Sequence, residues 1–172
     1  ESISFPNKLQ NIGKRAFYFD FEQKISNSND EYSADDLFSD FFCKSHLKYI
    51  YIPKSVKFIS NEAFKNCSEL KKVDLDDENS ELQVIDDFAF HQTSFDFISI
   101  PKKVQNIGQF CFRESKIRNV IFSQESKINY FGMGIFSGSS LEQIMIPSNL
   151  LEICQSCFSY CHYLKKVEFP VD

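Results

Sequence analysis

Residues 52–75 read IPKSVKFISNEAFKNCSELKKVDL, and most of the chain consists of variants of this stretch. As a pattern it is P-x-x-V-x-x-I-x-x-x-A-F-x-x-C-x-x-L-x-x-V-x-L. Aligned on the Phe of the A-F pair, the copies have anchors 22 to 26 residues apart: Phe17, Phe41, Phe64, Phe90, Phe112, Phe136 and Phe158. A period of this size is typical of stacked repeats that bury their apolar faces against each other. Residues 1–172 are therefore predicted to form a single domain of about seven repeats.

Two further apolar positions precede the anchors. The residues five positions before them are Ile12, Ile59, Ile85, Ile107, Phe131 and Ile153, and those eight positions before are Leu9, Val56, Leu82, Val104, Ile128 and Leu150. The second repeat departs from this pattern with Asp36 and Ser33. We expect its polar residues 26–36 to form a loop, and the acidic residues 76–81 to form a second excursion from the stack.

A short alternating stretch follows most anchors, as in Lys72-Val73-Asp74-Leu75. Its second and fourth residues are apolar, which is the period-2 pattern of a half-buried strand. The first repeat has only a weak candidate, Lys24-Ile25-Ser26. We therefore predict an α/β repeat solenoid with one short parallel strand per ~23-residue repeat, and with one-turn helices or 3-10 turns on the opposite side.

Charge and hydropathy exclude two classes of partner. The net charge of −5 does not favour binding to nucleic acid, which requires clustered Lys and Arg. No apolar run approaches the ~20 residues of a membrane-spanning helix. Because the chain begins and ends within a repeat, we expect it to be a fragment of a longer protein.

The cysteines occupy repeat positions that are expected to be buried. Two of the six share one position, and two share another with alanines: Cys67 and Cys161, then Cys111 and Cys157 with Ala63 and Ala89. A position that accepts Ala or Cys is a small apolar slot, which suits a free thiol. We therefore predict reduced, structural cysteines rather than a disulfide framework.

A zinc site is the alternative for the last repeat. Four potential ligands lie within nine residues of each other: Cys154, Cys157, Cys161 and His162. Two of these cysteines hold core positions, so we predict no metal or other cofactor. His46, His91 and His162 share no repeat position, and no catalytic grouping of Ser, His, Asp or Cys can be argued from spacing.

The outward positions of the predicted strands are the candidate binding site. Apolar or aromatic side chains occur there with no core to fill: Tyr49, Tyr51, Phe97, Ile121 and Met145. Exposed apolar groups rimmed by polar residues often mark interaction sites. These residues are predicted to bind a protein partner or a host surface component. Four of them recur at or near one column of the sheet: Tyr51, Phe97, Ile121 and Met145. The alternatives are packing against flanking segments or contact with further repeats.

The repeat resembles the BspA-type leucine-rich repeat, most closely from Pro53 to Leu75, and also from Pro101 to Phe122 and from Pro147 to Phe169. This resemblance implies a leucine-rich-repeat-like right-handed superhelix with a concave sheet face. It also implies a non-enzymatic binding or adhesion module, since many proteins of this family are surface antigens of mucosal bacteria and anaerobic parasitic protists. The parent protein would then be located at the cell surface or secreted. The alternatives are a cytoplasmic scaffold and the repeat region of a larger enzyme.

Overall fold

The computed structural model of the chain describes residues 2–3, 5–17, 46–75 and 78–170. Within these ranges the backbone forms only short strands and turns. The strands are β1 (Ser2–Ile3), β2 (Asn11–Ile12), β3 (Tyr49–Tyr51), β4 (Phe58–Ile59), β5 (Lys72–Asp74), β6 (Val84–Ile85), β7 (Phe97–Ile100), β8 (Asn106–Ile107), β9 (Asn119–Phe122), β10 (Tyr130–Phe131), β11 (Gln143–Met145) and β12 (Lys166–Glu168).

Two sets of parallel strands alternate along the chain. One set forms a sheet in the order β1-β3-β5 and a second in the order β7-β9-β11-β12. Strand β5 lies next to β7, so we call these two sheets together the front sheet. The other set forms the back sheet, in the order β10-β8-β6-β4-β2. Each strand therefore pairs with its equivalent in the neighbouring repeat, as a stacked solenoid requires.

The expectation of one strand per repeat was wrong, because the back sheet supplies a second strand. Its strands are two residues long and contain the apolar residue five positions before each anchor: Ile12, Ile59, Ile85, Ile107 and Phe131. All five side chains are buried, whereas the residue before each is exposed or half-buried. A strand of two residues is too short to give a recognisable alternation of apolar and polar residues, so the sequence did not indicate these strands.

The helical turns expected around the Ala-Phe pair are also wrong, since the described residues contain no helix. The N–H of Ala63 donates to Ser60 O of its own coil (3.1 Å), whereas the N–H of Phe64 donates to Ala89 O of the next coil (2.9 Å). Glu62 and Asn66, on either side, have φ of 58° and 63°. An α-helix needs right-handed residues and i to i−4 bonds. The fold is thus a parallel β-solenoid rather than an α/β one.

The anchor phenylalanines form a ladder through the core. Successive rings of Phe17, Phe64, Phe90, Phe112, Phe136 and Phe158 are stacked with centroids 5.1 to 5.9 Å apart. Phe64 and Phe112 are fully buried. Phe158 is only half-buried, because it is the last ring of the ladder in the described residues.

Some predicted features lie outside the described residues. They are the anchor Phe41, the candidate strand Lys24-Ile25-Ser26, the polar loop at 26–36, and Asp76 and Asp77 of the acidic excursion.

In the stacking order, β2 pairs with β4 and β3 pairs with β5. Tyr49–Tyr51 is thus the front strand of the coil that contains Phe17.

Candidate interaction face

The outward side chains of β3, β5, β7, β9, β11 and β12 form a surface that we call the front face. Register and repeat equivalence arrange these side chains in two columns. The first column contains Tyr49, Lys72, Phe97, Asn119, Gln143 and Lys166. The second contains Tyr51, Asp74, Ser99, Ile121, Met145 and Glu168.

The five predicted binding residues lie on this face but are divided between the columns. Phe97 is opposite Asn119 in the first column, whereas Tyr51, Ile121 and Met145 lie in the second. Four of the five are exposed: Tyr51 by 38%, Phe97 by 47%, Ile121 by 52% and Met145 by 59%. Tyr49 is half-buried, with Lys72 Nζ 5.4 Å from its ring centroid. They therefore do not form one continuous column.

Three of these residues form a contiguous group, which we call the apolar patch. Ile121 and Met145 are neighbours in the second column, because β9 and β11 pair directly. Phe97 lies diagonally across from Ile121, within the ~7–8 Å reach of a diagonal pair in a sheet. Asp74 and Ser99 separate Tyr51 from the patch. The patch consists of Phe97, Ile121 and Met145.

A groove runs between β5 and β7, where no ladder joins the two halves of the front sheet among the described residues. Its volume is about 380 Å³, and it is lined by Val73, Leu75, Phe97 and polar neighbours. On the back and turn sides the same two coils are joined by hydrogen bonds, such as Asn66 N–H to His91 O (2.9 Å). The gap is therefore confined to the front face, beside Phe97, the aromatic residue of the patch.

A second groove, of about 660 Å³, follows the edge of the front face where the strands begin. Its lining includes Lys71, Asp96, Lys116 and Arg118. Lys71 and Asp96 also line the groove beside Phe97, so the two grooves adjoin. We call this edge the basic rim. Its lysines were missed by the sequence analysis, although Lys48 and Lys71 share a repeat position directly before the strand.

The cysteines of the last coil come together only in part, since the thiols of Cys154 and Cys157 interact with each other. Cys157 is buried, and the Cys161 thiol donates to Phe136 O (3.0 Å). His162 is exposed. Among the described residues, no group of three or more His, Cys, Asp or Glu side chains could hold a metal ion. The candidate zinc ligands Cys154, Cys157, Cys161 and His162 are therefore not brought together as a set.

The thiols differ in acidity. Burial raises the pKa of Cys111 and of Cys161. Interaction with the Cys154 thiol, together with burial, raises the pKa of Cys157, and the reciprocal interaction lowers the pKa of Cys154. None of the five described cysteines forms a disulfide. Cys111 and Cys157 fill the small core positions that the sequence indicated.

One histidine has a structural partner that the sequence did not indicate. His91 Nδ1 lies 2.9 Å from Arg113 O in the next coil, and its ring meets that of Phe88 edge-on. Burial lowers the pKa of His91, which favours the neutral ring. His91 thus links two coils on the turn side, away from the front face.

No helix in the described part of the chain is long and apolar enough to cross a bilayer.

Comparison with known proteins agrees with the repeat analysis. The family model described as "BspA type Leucine rich repeat region" matches residues 1–84 and 83–172, in six copies. No curated protein sequence matches the chain.

Three solved structures are similar in fold. The pneumococcal vaccine antigen PcpA is 23% identical, with a TM-score of 0.76 over 98% of this chain and 40% of that one. The leucine-rich repeat protein TpLRR of T. pallidum is 21% identical, with a TM-score of 0.73 over 97% and 68%. A leucine-rich cell surface protein of Faecalibacterium prausnitzii is 21% identical, with a TM-score of 0.57 over 98% and 47%. The chain thus spans 40% of the length of the pneumococcal antigen.

Proposed function

This chain belongs to the BspA-type leucine-rich repeat family, and we propose that it is a non-enzymatic module that binds a protein partner through its front face. The apolar patch is the observation on which the proposal depends. Phe97, Ile121 and Met145 are 47%, 52% and 59% exposed on a sheet whose inward side chains are buried. They add nothing to the core, and a partner could cover all three together.

The surroundings of the patch resemble those of an interface centre. Asn119 and Gln143 lie beside the apolar side chains in the first column, and the groove next to Phe97 could receive a side chain of the partner. Interfaces combine a few large apolar anchors with a polar rim, and aromatic anchors contribute most of the binding energy. Phe97, which borders the groove, is the expected principal anchor.

We place the parent protein at the cell surface or in the secreted fraction, with adhesion as its role. The names of two similar structures, a vaccine antigen and a cell surface protein, support this location. A cytoplasmic scaffold, or the repeat region of a larger enzyme, is the second candidate. The absence of a disulfide among the five described cysteines favours it, since thiols persist in reducing compartments. A signal peptide or an enzymatic domain in the full-length protein would decide between them.

A displayed library of random short peptides tests the front face without a known partner. Peptides selected on the native chain are measured against the variant Phe97→Ser/Ile121→Ser. Its matched control is Phe58→Ser/Tyr130→Ser, because these side chains are similarly exposed, by 40% and 46%, on the back sheet. We expect the front variant to lose more than about tenfold in affinity and the control to retain it. Equal binding to the native chain and the front variant would rule out the front face.

A further inference from the structure

We propose that the partner's bound segment is acidic, and that Lys48, Lys71 and Lys116 on the basic rim recognise its carboxylates while the apolar patch holds an apolar side chain beside them. The inference rests on the proposed function and specifies its ligand. It concerns the charge of the partner, which neither the fold nor the family determines.

The three lysines lie along the edge where successive front strands begin. Lys48 directly precedes β3 and Lys71 directly precedes β5. The N–H of Lys71 donates to Lys48 O (2.9 Å), so the two residues are at the same level in adjacent coils. The N–H of Lys116 donates to Thr93 O (2.9 Å), which places Lys116 in the coil after Phe97. The lysines therefore follow one edge on both sides of the coil of Phe97.

The rim adjoins the patch. Lys71 lines the groove between β5 and β7 together with Phe97, and it also lines the rim groove together with Lys116. A peptide whose apolar side chain rests against Phe97 can therefore extend along the rim while remaining in contact with the protein. A carboxylate next to that side chain would lie near Lys71 and Lys72, which both line the groove beside Phe97.

The charges of the rim are not balanced by ion pairs among the described residues. Arg118 forms an ion pair with Glu142, and Lys165 Nζ lies 3.2 Å from Oε2 of the same carboxylate, so both of these cations have an anionic partner. Lys48, Lys71 and Lys116 are exposed and form no ion pair among the described residues. Asp96 lies in the same groove and offsets one of them. The excess of cations stands out on a chain whose net charge is −5.

The opposite edge of the face also carries cations, but they do not line the groove beside Phe97. There Lys102 pairs with Glu125 (2.8 Å) and Lys103 pairs with Glu81 (2.6 Å), while the exposed Lys54 and Lys127 form no ion pair among the described residues. Lys71 of the basic rim does line that groove. Complementary charge sets the orientation of a partner and its rate of association. The contact between the basic rim and the groove beside Phe97 thus predicts which edge faces the acidic residues.

A polypeptide fits this surface better than a sulfated polysaccharide or a nucleic acid. Three lysines spaced over several coils are a sparse set for a polyanion, whose binding depends on many contacts to its backbone charges. An exposed apolar patch beside them would remain uncovered by such a ligand. An acidic peptide with one apolar side chain uses both features.

The peptide selection described above tests the charge of the ligand when it is repeated on the variant Lys71→Glu/Lys116→Glu. The matched control is Lys14→Glu/Lys127→Glu, which makes the same change in charge at two exposed lysines away from the rim. Selected peptides are sequenced, and their affinities are measured at low and at high salt. Heparin is added as a competitor in a parallel measurement.

We expect peptides selected on the native chain to be enriched in Asp and Glu next to an apolar residue. The rim variant should lose this enrichment and about tenfold or more in affinity for those peptides, chiefly at low salt, while the control variant retains both. Peptides that need the patch but show no acidic bias would overturn this inference and leave the proposed function intact. Peptides indifferent to the patch would contradict the proposed function. Heparin binding that is lost in the rim variant, without acidic peptides, would overturn the inference in favour of a polyanion.

Discussion

Phe17 and Phe64 stack face to face with their ring centroids 5.1 Å apart, although the predicted anchor Phe41 lies between them in the sequence. The backbone agrees with the rings, since the N–H of Phe17 donates to Ala63 O (2.8 Å). In the described residues the coil of Phe17 is therefore the direct neighbour of the coil of Phe64. The ladder continues from there through Phe158 with nearly parallel rings.

The ladder gives the first prediction, on stability. Phe112→Ala should lower the free energy of unfolding by ~3–5 kcal/mol, because the ring is fully buried between those of Phe90 and Phe136 and its loss leaves a cavity. Urea unfolding followed by circular dichroism measures this change. Phe97→Ala is the control, because that side chain is half exposed on the front face and should cost far less. Equal losses would contradict the assignment of core and face.

The sequence predicted the core well and the turn side poorly, and the reason is physical. The period of the apolar positions specifies which side chains face inward, so the ladder of Phe64 and Phe112 could be foreseen. Asn66 is of a type that tolerates the left-handed conformation, but Glu62 and Phe88 are also left-handed, and nothing in their identity marks the turns. Likewise, Lys71 looks like any surface lysine until the stacking places it beside Phe97.

Close approach between coils gives the second prediction. Gly132 and Gly13 occupy the same repeat position, four residues before an anchor. A Cβ on Gly132 would lie 2.2 Å from Gln109 N, whereas a Cβ on Gly13 would meet nothing within 4 Å. Gly132→Ala should therefore destabilise the fold by about 1–3 kcal/mol, since the obstructing atom is backbone and the coils must shift. Gly13→Ala should be close to neutral.

Thermal unfolding of the two glycine variants measures this difference under identical conditions. A Gly132→Ala protein with the midpoint of the native chain would show that the coils can separate without cost at this position.

The third prediction concerns pH. Burial raises the pKa of Glu62, but hydrogen bonds from Lys65 (2.7 Å) and Arg15 (2.6 Å) outweigh it, so that the pKa lies below its ordinary value of 4.5. A carboxyl group with a lowered folded pKa stabilises the fold above its unfolded pKa, and that contribution is lost as the pH falls through the folded pKa. Glu62 should therefore stabilise the protein at neutral pH and cease to do so in acid.

Urea unfolding of the native chain and of Glu62→Gln, compared at neutral pH and at a pH below about 3, measures this effect. We expect the native chain to be more stable than the variant at neutral pH and the difference to shrink in acid. Glu114→Gln is a control for the general loss of a carboxyl group, since Glu114 is exposed. A difference between native and variant that is independent of pH would contradict the lowered pKa of Glu62.

The last prediction follows from the gap in the front sheet. The N–H of Ile52 donates to Asp74 O, and the N–H of Ile146 donates to Glu168 O, each at 2.8 Å. Leu75 occupies the equivalent repeat position, and its side chain is as buried as that of Ile146. Its N–H has no backbone acceptor among the described residues, because no ladder joins β5 to β7.

Amides without a hydrogen bond exchange with solvent through smaller structural openings than amides bonded in a ladder. The Leu75 amide should therefore exchange with deuterium faster than the amides of Ile52 and Ile146, as measured by nuclear magnetic resonance. A peptide bound beside Phe97 would cover this groove and should slow the exchange of Leu75 more than that of Ile52. Equal protection of all three amides in the free protein would show that β5 and β7 are joined in solution, and the groove beside Phe97 would then be closed.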